Sequence, residues 1–320
     1  MRKILALIIC TLFVANSSSA ELSVQTNSLE LEVGDYIRYE IMGNTMATMF
    51  GKDMGGEDYL GVENFIVNEP EVKITGLDAN CDSTYDCYIE QVNMSFSFTL
   101  IFKEDAGVSD DEKMNLDISM LYTFWRVDPL TKVKQEYEMR YSANWLEEGE
   151  IKSYEMVLED EDSYKNKQGS WPESIEVGSS WTISETIMTT SVVRDRFDGG
   201  EWETETEESE ETIVTDYVAM DEVKVTTSAG TFETLKIKYS VQGDDTGTYS
   251  LEYYNSDFLS VKQEEYEADE LFVTMQVKEY SVKSLESKSV DEASSDSALP
   301  SLTIVPALVV ISLMSILRRR

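Results

Sequence analysis

Apolar and polar side chains alternate along most of this chain with a period of two. Val92, Met94, Phe96, Phe98, Leu100 and Phe102 are interleaved with Asn93, Ser95, Ser97 and Thr99. Leu116, Ile118, Met120, Tyr122 and Phe124 alternate in the same way with Asp117, Ser119 and Thr123. Val133, Tyr137, Met139 and Tyr141 oppose Lys134, Glu136, Glu138 and Arg140, and Leu235, Ile237, Tyr239 and Val241 oppose Lys236, Lys238 and Ser240. Successive side chains of a strand point to opposite faces, so each segment buries one face and wets the other. That is the habit of antiparallel sheet. Gly-Asp, Asp-Asp and Gly-Gly clusters punctuate the strands. Between the two ends no long stretch carries a helical period, so the pattern predicts an all-β protein.

The ends break the pattern. Arg2 and Lys3 precede an apolar run from Ile4 to Val14, and Ser17-Ser18-Ser19-Ala20 supplies small residues before Glu21. This is the layout of a secretory signal peptide over residues 1–20. At the other end, residues 298–320 predict one transmembrane helix. Its apolar run, Leu302 to Leu317, is followed at once by Arg318, Arg319 and Arg320. Positive charge stays on the cytoplasmic side, so these arginines act as the membrane stop and the bulk of the chain is expected to be extracellular. Residues 284–297, rich in Ser, Asp, Glu and Lys, read as a flexible acidic stalk.

Between signal and stalk, two landmarks recur in order. Leu31-Glu32-Val33-Gly34-Asp35-Tyr36-Ile37 returns as Ile175-Glu176-Val177-Gly178-Ser179-Ser180-Trp181. Phe124-Trp125 followed by Val133-Lys134-Gln135-Glu136-Tyr137 returns as Tyr253-Tyr254 followed by Val261-Lys262-Gln263-Glu264. The echo predicts a tandem repeat, with a first β domain over 21–150, a second over 151–283, and Trp125 matched to Tyr254.

Two resemblances follow from quoted residues. Ala229-Gly230-Thr231-Phe232, with the upstream Val177-Gly178 to Trp181 and the downstream Tyr253-Tyr254 and Val261-Lys262, resembles the lipoprotein-carrier-like envelope sheets related to LolA and LolB. The resemblance implies two tandem curved antiparallel sheets, half-barrel-like, whose concave faces hold an apolar ligand such as an acyl chain. Leu299-Pro300-Ser301-Leu302-Thr303 ahead of the apolar helix and the basic end resembles the surface-sorting signals of prokaryotes, of the archaeosortase and sortase type. Whether that tail is cleaved or serves as a plain single-pass anchor stays open.

Composition narrows the chemistry. A net charge of −36, from 62 acidic against 26 basic residues, opposes nucleic acid, whose binding requires lysines and arginines to displace phosphate counterions. With no histidine, the usual Ser-His-Asp and Cys-His arrangements are excluded, and ordinary zinc and copper sites lose their commonest ligand. Cys81 and Cys87, the only cysteines after the signal, are expected to form a disulfide in an exported chain. Met46, Met49, Phe50 and Met54 form a soft, Gly-containing stretch suited to apolar contact, or to packing on itself. Asn93-Met94-Ser95 is a glycosylation sequon on a wet strand face. The acidic runs 110–112, 159–162 and 201–211 read as solvated loops. No cofactor is indicated. The expected role is a non-catalytic, membrane-anchored surface protein whose partner is the membrane and, beyond it, an apolar ligand or another surface protein. The alternatives are a carrier or sensor of a lipid-like ligand and a carboxylate- or metal-dependent hydrolase.

Overall fold

A computed structural model describes residues 22–26, 31–42, 59–79, 81, 86–103, 113–128, 131–244 and 246–283. The signal peptide, the stalk and the membrane tail expected from the sequence lie outside these residues. Fourteen strands follow one another: β1 (Val24–Gln25), β2 (Tyr36–Met42), β3 (Tyr59–Asp78), β4 (Cys87–Phe102), β5 (Lys113–Asp128), β6 (Thr131–Glu147), β7 (Glu150–Gln168), β8 (Ser174–Ile175), β9 (Ser180–Phe197), β10 (Glu203–Thr227), β11 (Gly230–Val241), β12 (Tyr249–Tyr254), β13 (Ser260–Glu267) and β14 (Glu270–Ser281). Among the described residues no helix is long and apolar enough to cross a membrane.

The all-β expectation holds, and its arrangement changes. Instead of two separate curved sheets there is one closed antiparallel barrel, β2-β3-β4-β5-β6-β7-β9-β10-β11-β12-β13-β14, with β14 returning to β2. The halves are joined along both seams, β7 to β9 and β14 to β2, so neither sheet keeps the two open edges of a half-barrel. The boundary expected near residue 150 falls at the tip of the β6–β7 hairpin, where Glu147 pairs with Glu150. Closure removes most of the edges that would otherwise invite pairing with other chains, although β11 joins β10 only from Thr215 onward.

The period-two pattern decides which way each side chain points. Val92, Met94, Phe96, Phe98 and Leu100 of β4, Leu116, Ile118 and Met120 of β5, and Tyr137 and Met139 of β6 all turn into one buried core. The intervening positions carry charge pairs outward: Lys134 with Glu136 and Glu161, Arg194 with Glu159, Arg196 with Glu155. A membrane-spanning barrel has the opposite polarity, apolar outside and polar within. The small ribbon of β1 and β8 covers a second cluster made by Ala219, Leu235, Ile237, Tyr254 and Phe258, with Trp171 packed against it.

The two halves correspond bond for bond at their landmarks. The Gly34 amide donates to the Ile74 carbonyl at 2.8 Å, and the Ile74 amide donates to the Asp35 carbonyl at 2.9 Å. The Gly178 amide and the Ala219 carbonyl, and the Ala219 amide and the Ser179 carbonyl, repeat that exchange at 2.9 and 2.8 Å. Both glycines have positive φ, +102° and +86°, which only glycine adopts freely. Register breaks also recur, between Ile74 and Gly76 in β3 and between Ala219 and Asp221 in β10. A further pair falls after Trp125 in β5 and after Tyr253 in β12. Trp125 lies opposite Lys134 as Tyr253 lies opposite Lys262, and each ammonium sits over its ring at 5.1 and 5.2 Å. The partner of Trp125 is therefore Tyr253, one residue before the Tyr254 that the sequence alignment pairs with it. Arg126 and Tyr254 become the matched, inward pair, both 1 % exposed.

Candidate functional site

The residues singled out in the sequence do not gather at one place. Cys81 and Cys87 are bridged, with their Cα atoms 5.8 Å apart, at the mouth of β4. Met46, Met49, Phe50 and Met54 lie outside the described residues, as do Arg318, Arg319 and Arg320. Asn93 is exposed on the outer face of β4. Two acidic runs are strand rather than loop. The run at 201–211 lies largely in β10, which begins at Glu203, and 159–162 lies within β7. In β7 the pairing sends Asp160 and Asp162 inward, in phase with the buried Leu158; alternation, not charge, sets the direction.

The barrel interior holds a cluster of ionisable groups drawn from both halves. Arg126 of β5 donates to Glu90 of β4 at 3.1 Å, and both are about fully buried, 1 % exposed each. Lys132 donates to the Tyr164 hydroxyl at 3.1 Å, which donates to Gln135 at 3.0 Å, whose amide in turn donates to Asp162 at 3.2 Å. Across the interior, the Tyr239 hydroxyl donates to Glu252 at 3.3 Å and accepts from Gln263 at 3.1 Å. Glu265 accepts hydrogen bonds from Ser250 and Gln263. Burial disfavours charge here. It raises Glu265 to about 8, only partly offset by Ser250 and Gln263. It raises Glu252 well above the usual carboxylate range, with the nearby Glu265 adding to the effect. Glu90 and Asp162 are raised for the same reason, Glu90 being pulled back by Arg126 and Asp162 by Thr189 and Lys132. Desolvation, and then Arg126, lower Lys132 to about 8. Among the described residues no three His, Cys, Asp or Glu side chains form a metal-holding group. The cluster thus ties strands of both halves together, and burial favours the uncharged forms of its carboxyls. Its members were marked in the sequence only by phase: Glu90 is in step with Val92, and Arg126 with Phe124.

The outer wall carries a different feature, a cavity of about 400 Å³ that runs across β3 to β7. Four serines lie side by side on its floor, because Ser97 and Ser142 flank Asp117 while Ser95 pairs with Ser119. Their side chains are too short to fill the wall, so the strand backbone lines the bottom. Asn68 marks one end and donates to Ser95 at 2.6 Å. Trp202, from the β9–β10 connection, marks the other and is 42 % exposed. The Arg196 guanidinium lies over the Trp202 ring at 4.6 Å and is itself held by both oxygens of Glu155, at 2.9 and 2.8 Å. Serines, Asn68 and Asp117 therefore line, together with the apolar Ile66 and Val157, a groove that ends in an aromatic ring packed on an ion-paired guanidinium.

Comparison with protein-family models, with curated proteins and with solved structures finds no match to this chain.

Proposed function

We propose that the chain is a non-catalytic, membrane-anchored protein of the cell surface that works through the outer face of a filled barrel. The observation that carries this reading is the packing of the interior: Ile37, Val72, Ile74, Leu100 and Leu116 are all 0 % exposed. A carrier keeps its concave face free for cargo, whereas these inward side chains spend their apolar surface on one another. The signal-like start and the apolar, arginine-ended tail supply the extracellular placement in this reading. Native mass spectrometry of the full chain, extracted in detergent, tests it. The expected spectrum is that of the bare protein. A stoichiometric lipid adduct that survives detergent removal would overturn it in favour of the apolar-ligand carrier. Protease added to intact cells should release the barrel; complete protection would reverse the topology.

A further inference from the structure

We infer that the groove on the outer wall is a binding site for a neutral saccharide. The proposal rests on the reading that the outer face is the working one, and it names the class of ligand.

The first argument is the chemistry of the floor and walls. A saccharide presents vicinal hydroxyls along its edge and a patch of C–H bonds on its face. The hydroxyls need planar or hydroxylic partners, and the C–H patch needs an aromatic surface. Asp117, Asn68 and the serines provide the former within one continuous cavity, beside an Arg140 guanidinium held by Glu138 at 2.7 and 3.1 Å. Trp202 provides the latter at its end, and large aromatic residues with one polar edge suit half-wet contacts.

The second argument is preorganisation. Trp202 is exposed on a hairpin connection, where a free ring would sample many positions. Here the guanidinium stacked on it is held through Nη2, which donates to both oxygens of Glu155 on the neighbouring strand. Fixing a ring before binding lowers the entropy cost of using it. The floor lies on paired central strands, so it is rigid as well.

The third argument selects neutral over acidic sugars. The chain carries −36 overall, and Asp117 and Glu155 line the groove. An anionic polysaccharide would meet repulsion on approach. A cavity of about 400 Å³ lies in the range used for small ligands.

Titration of full-length protein in detergent with neutral gluco-, galacto- and manno-oligosaccharides, followed by tryptophan emission and calorimetry, tests the proposal. At least one series should bind and blue-shift the emission. Trp202→Ala should weaken that binding about tenfold and remove the shift. Ser119→Tyr, an outward change that fills the floor without touching the core, should abolish binding while circular dichroism stays unchanged. Absence of binding in every series, or binding equal in both variants, would overturn the proposal, as would binding of an unglycosylated peptide in the same groove with no saccharide response. A lipid adduct in the mass spectrum alongside saccharide binding would sink the filled-barrel reading and leave this site standing. A bare spectrum without saccharide binding would do the reverse.

Discussion

Glu265 shows how a single buried residue contributes to the pH response of the fold. Its carboxyl is held near 8 by burial, against about 4.3 in an unfolded chain. Between those values the folded protein binds more protons than the unfolded one. The stability contributed by this group is therefore fully present below about pH 4.3 and is lost as pH rises through about 8, by at most about 1.4 kcal/mol per pH unit. Glu252 and Glu90, also raised, add to the same slope. Lys132, lowered to about 8, acts in the opposite sense only above that pH. Urea midpoints measured from pH 5 to 8 should fall. Glu265→Gln, which keeps hydrogen-bonding capacity toward Ser250 and Gln263, should flatten the fall and stabilise the protein at pH 8; an unchanged slope would refute the assignment. The Glu90–Arg126 pair makes a second residue-scale prediction. Arg126→Met should cost about 3–5 kcal/mol because it strands a buried carboxylate, and adding Glu90→Leu should recover most of the loss. A double-mutant cycle with no coupling would count against a working ion pair.

At the scale of the element, the turns that open β2 and β9 are the clearest case of sequence writing structure. Val-Gly followed by a short polar residue places a positive-φ glycine where its amide must reach across to a bulged strand. The Asp35 carboxylate accepts the Glu32 amide at 2.8 Å, and the Ser179 hydroxyl accepts the Glu176 amide at 3.1 Å. No atom lies within 4 Å of a Cβ built on Gly178, so Gly178→Ala pays only for the left-handed backbone, about 1–2 kcal/mol. Equilibrium unfolding of that variant should show the loss, and a neutral result would mean the turn relaxes at no cost. β10 was less legible. Its first half is glutamate-rich, a composition strands usually avoid, and β11 joins it only from Thr215 onward. That half forms because β9 pairs with it residue by residue, from Glu203 opposite Asp195 on to Val218 opposite Ser180. Carboxylates along such a margin also discourage pairing with another chain.

For the whole molecule, alternation made the strands and the inward core readable, and the repeated landmarks pointed to matching turns. What they did not reveal was closure. Nothing in Tyr36-Ile37-Arg38 or in Lys278-Glu279-Tyr280 announces that these segments pair, since such pairing depends on sheet curvature rather than on local pattern. The interior cluster was hidden for a related reason: Asp160, Asp162 and Glu252 look like surface residues until their phase is followed from a buried neighbour. The missed partner of Trp125 came from matching one aromatic pair to the other; the Val133-Lys134 to Val261-Lys262 match, extended without a gap, carries Trp125 onto Tyr253, because both halves bulge at the same place. Closure has a testable result. Residues 22–168 expressed alone leave β2 without β14 and β7 without β9, so they should aggregate or lack a cooperative transition, and a well-folded monomer would contradict a single closed unit. The excess of 36 negative charges adds that the intact protein should gain stability as salt rises toward about 0.15 M, where charges more than about 8 Å apart are screened.

The seam between β14 and β2 has a consequence in time. Tyr36 pairs with Ser281, and Arg38 bridges Glu71 on β3 and Glu279 on β14. Neighbouring hairpins such as β10–β11 can form from contacts a few residues apart, but this seam joins segments from opposite ends of the barrel sequence. Bringing them together costs loop entropy before any bond rewards it. The seam should therefore be the last feature to form after synthesis and the step that limits the rate of folding. Until it closes, the nascent chain presents two unpaired edges. Those edges need shelter for as long as the barrel stays open.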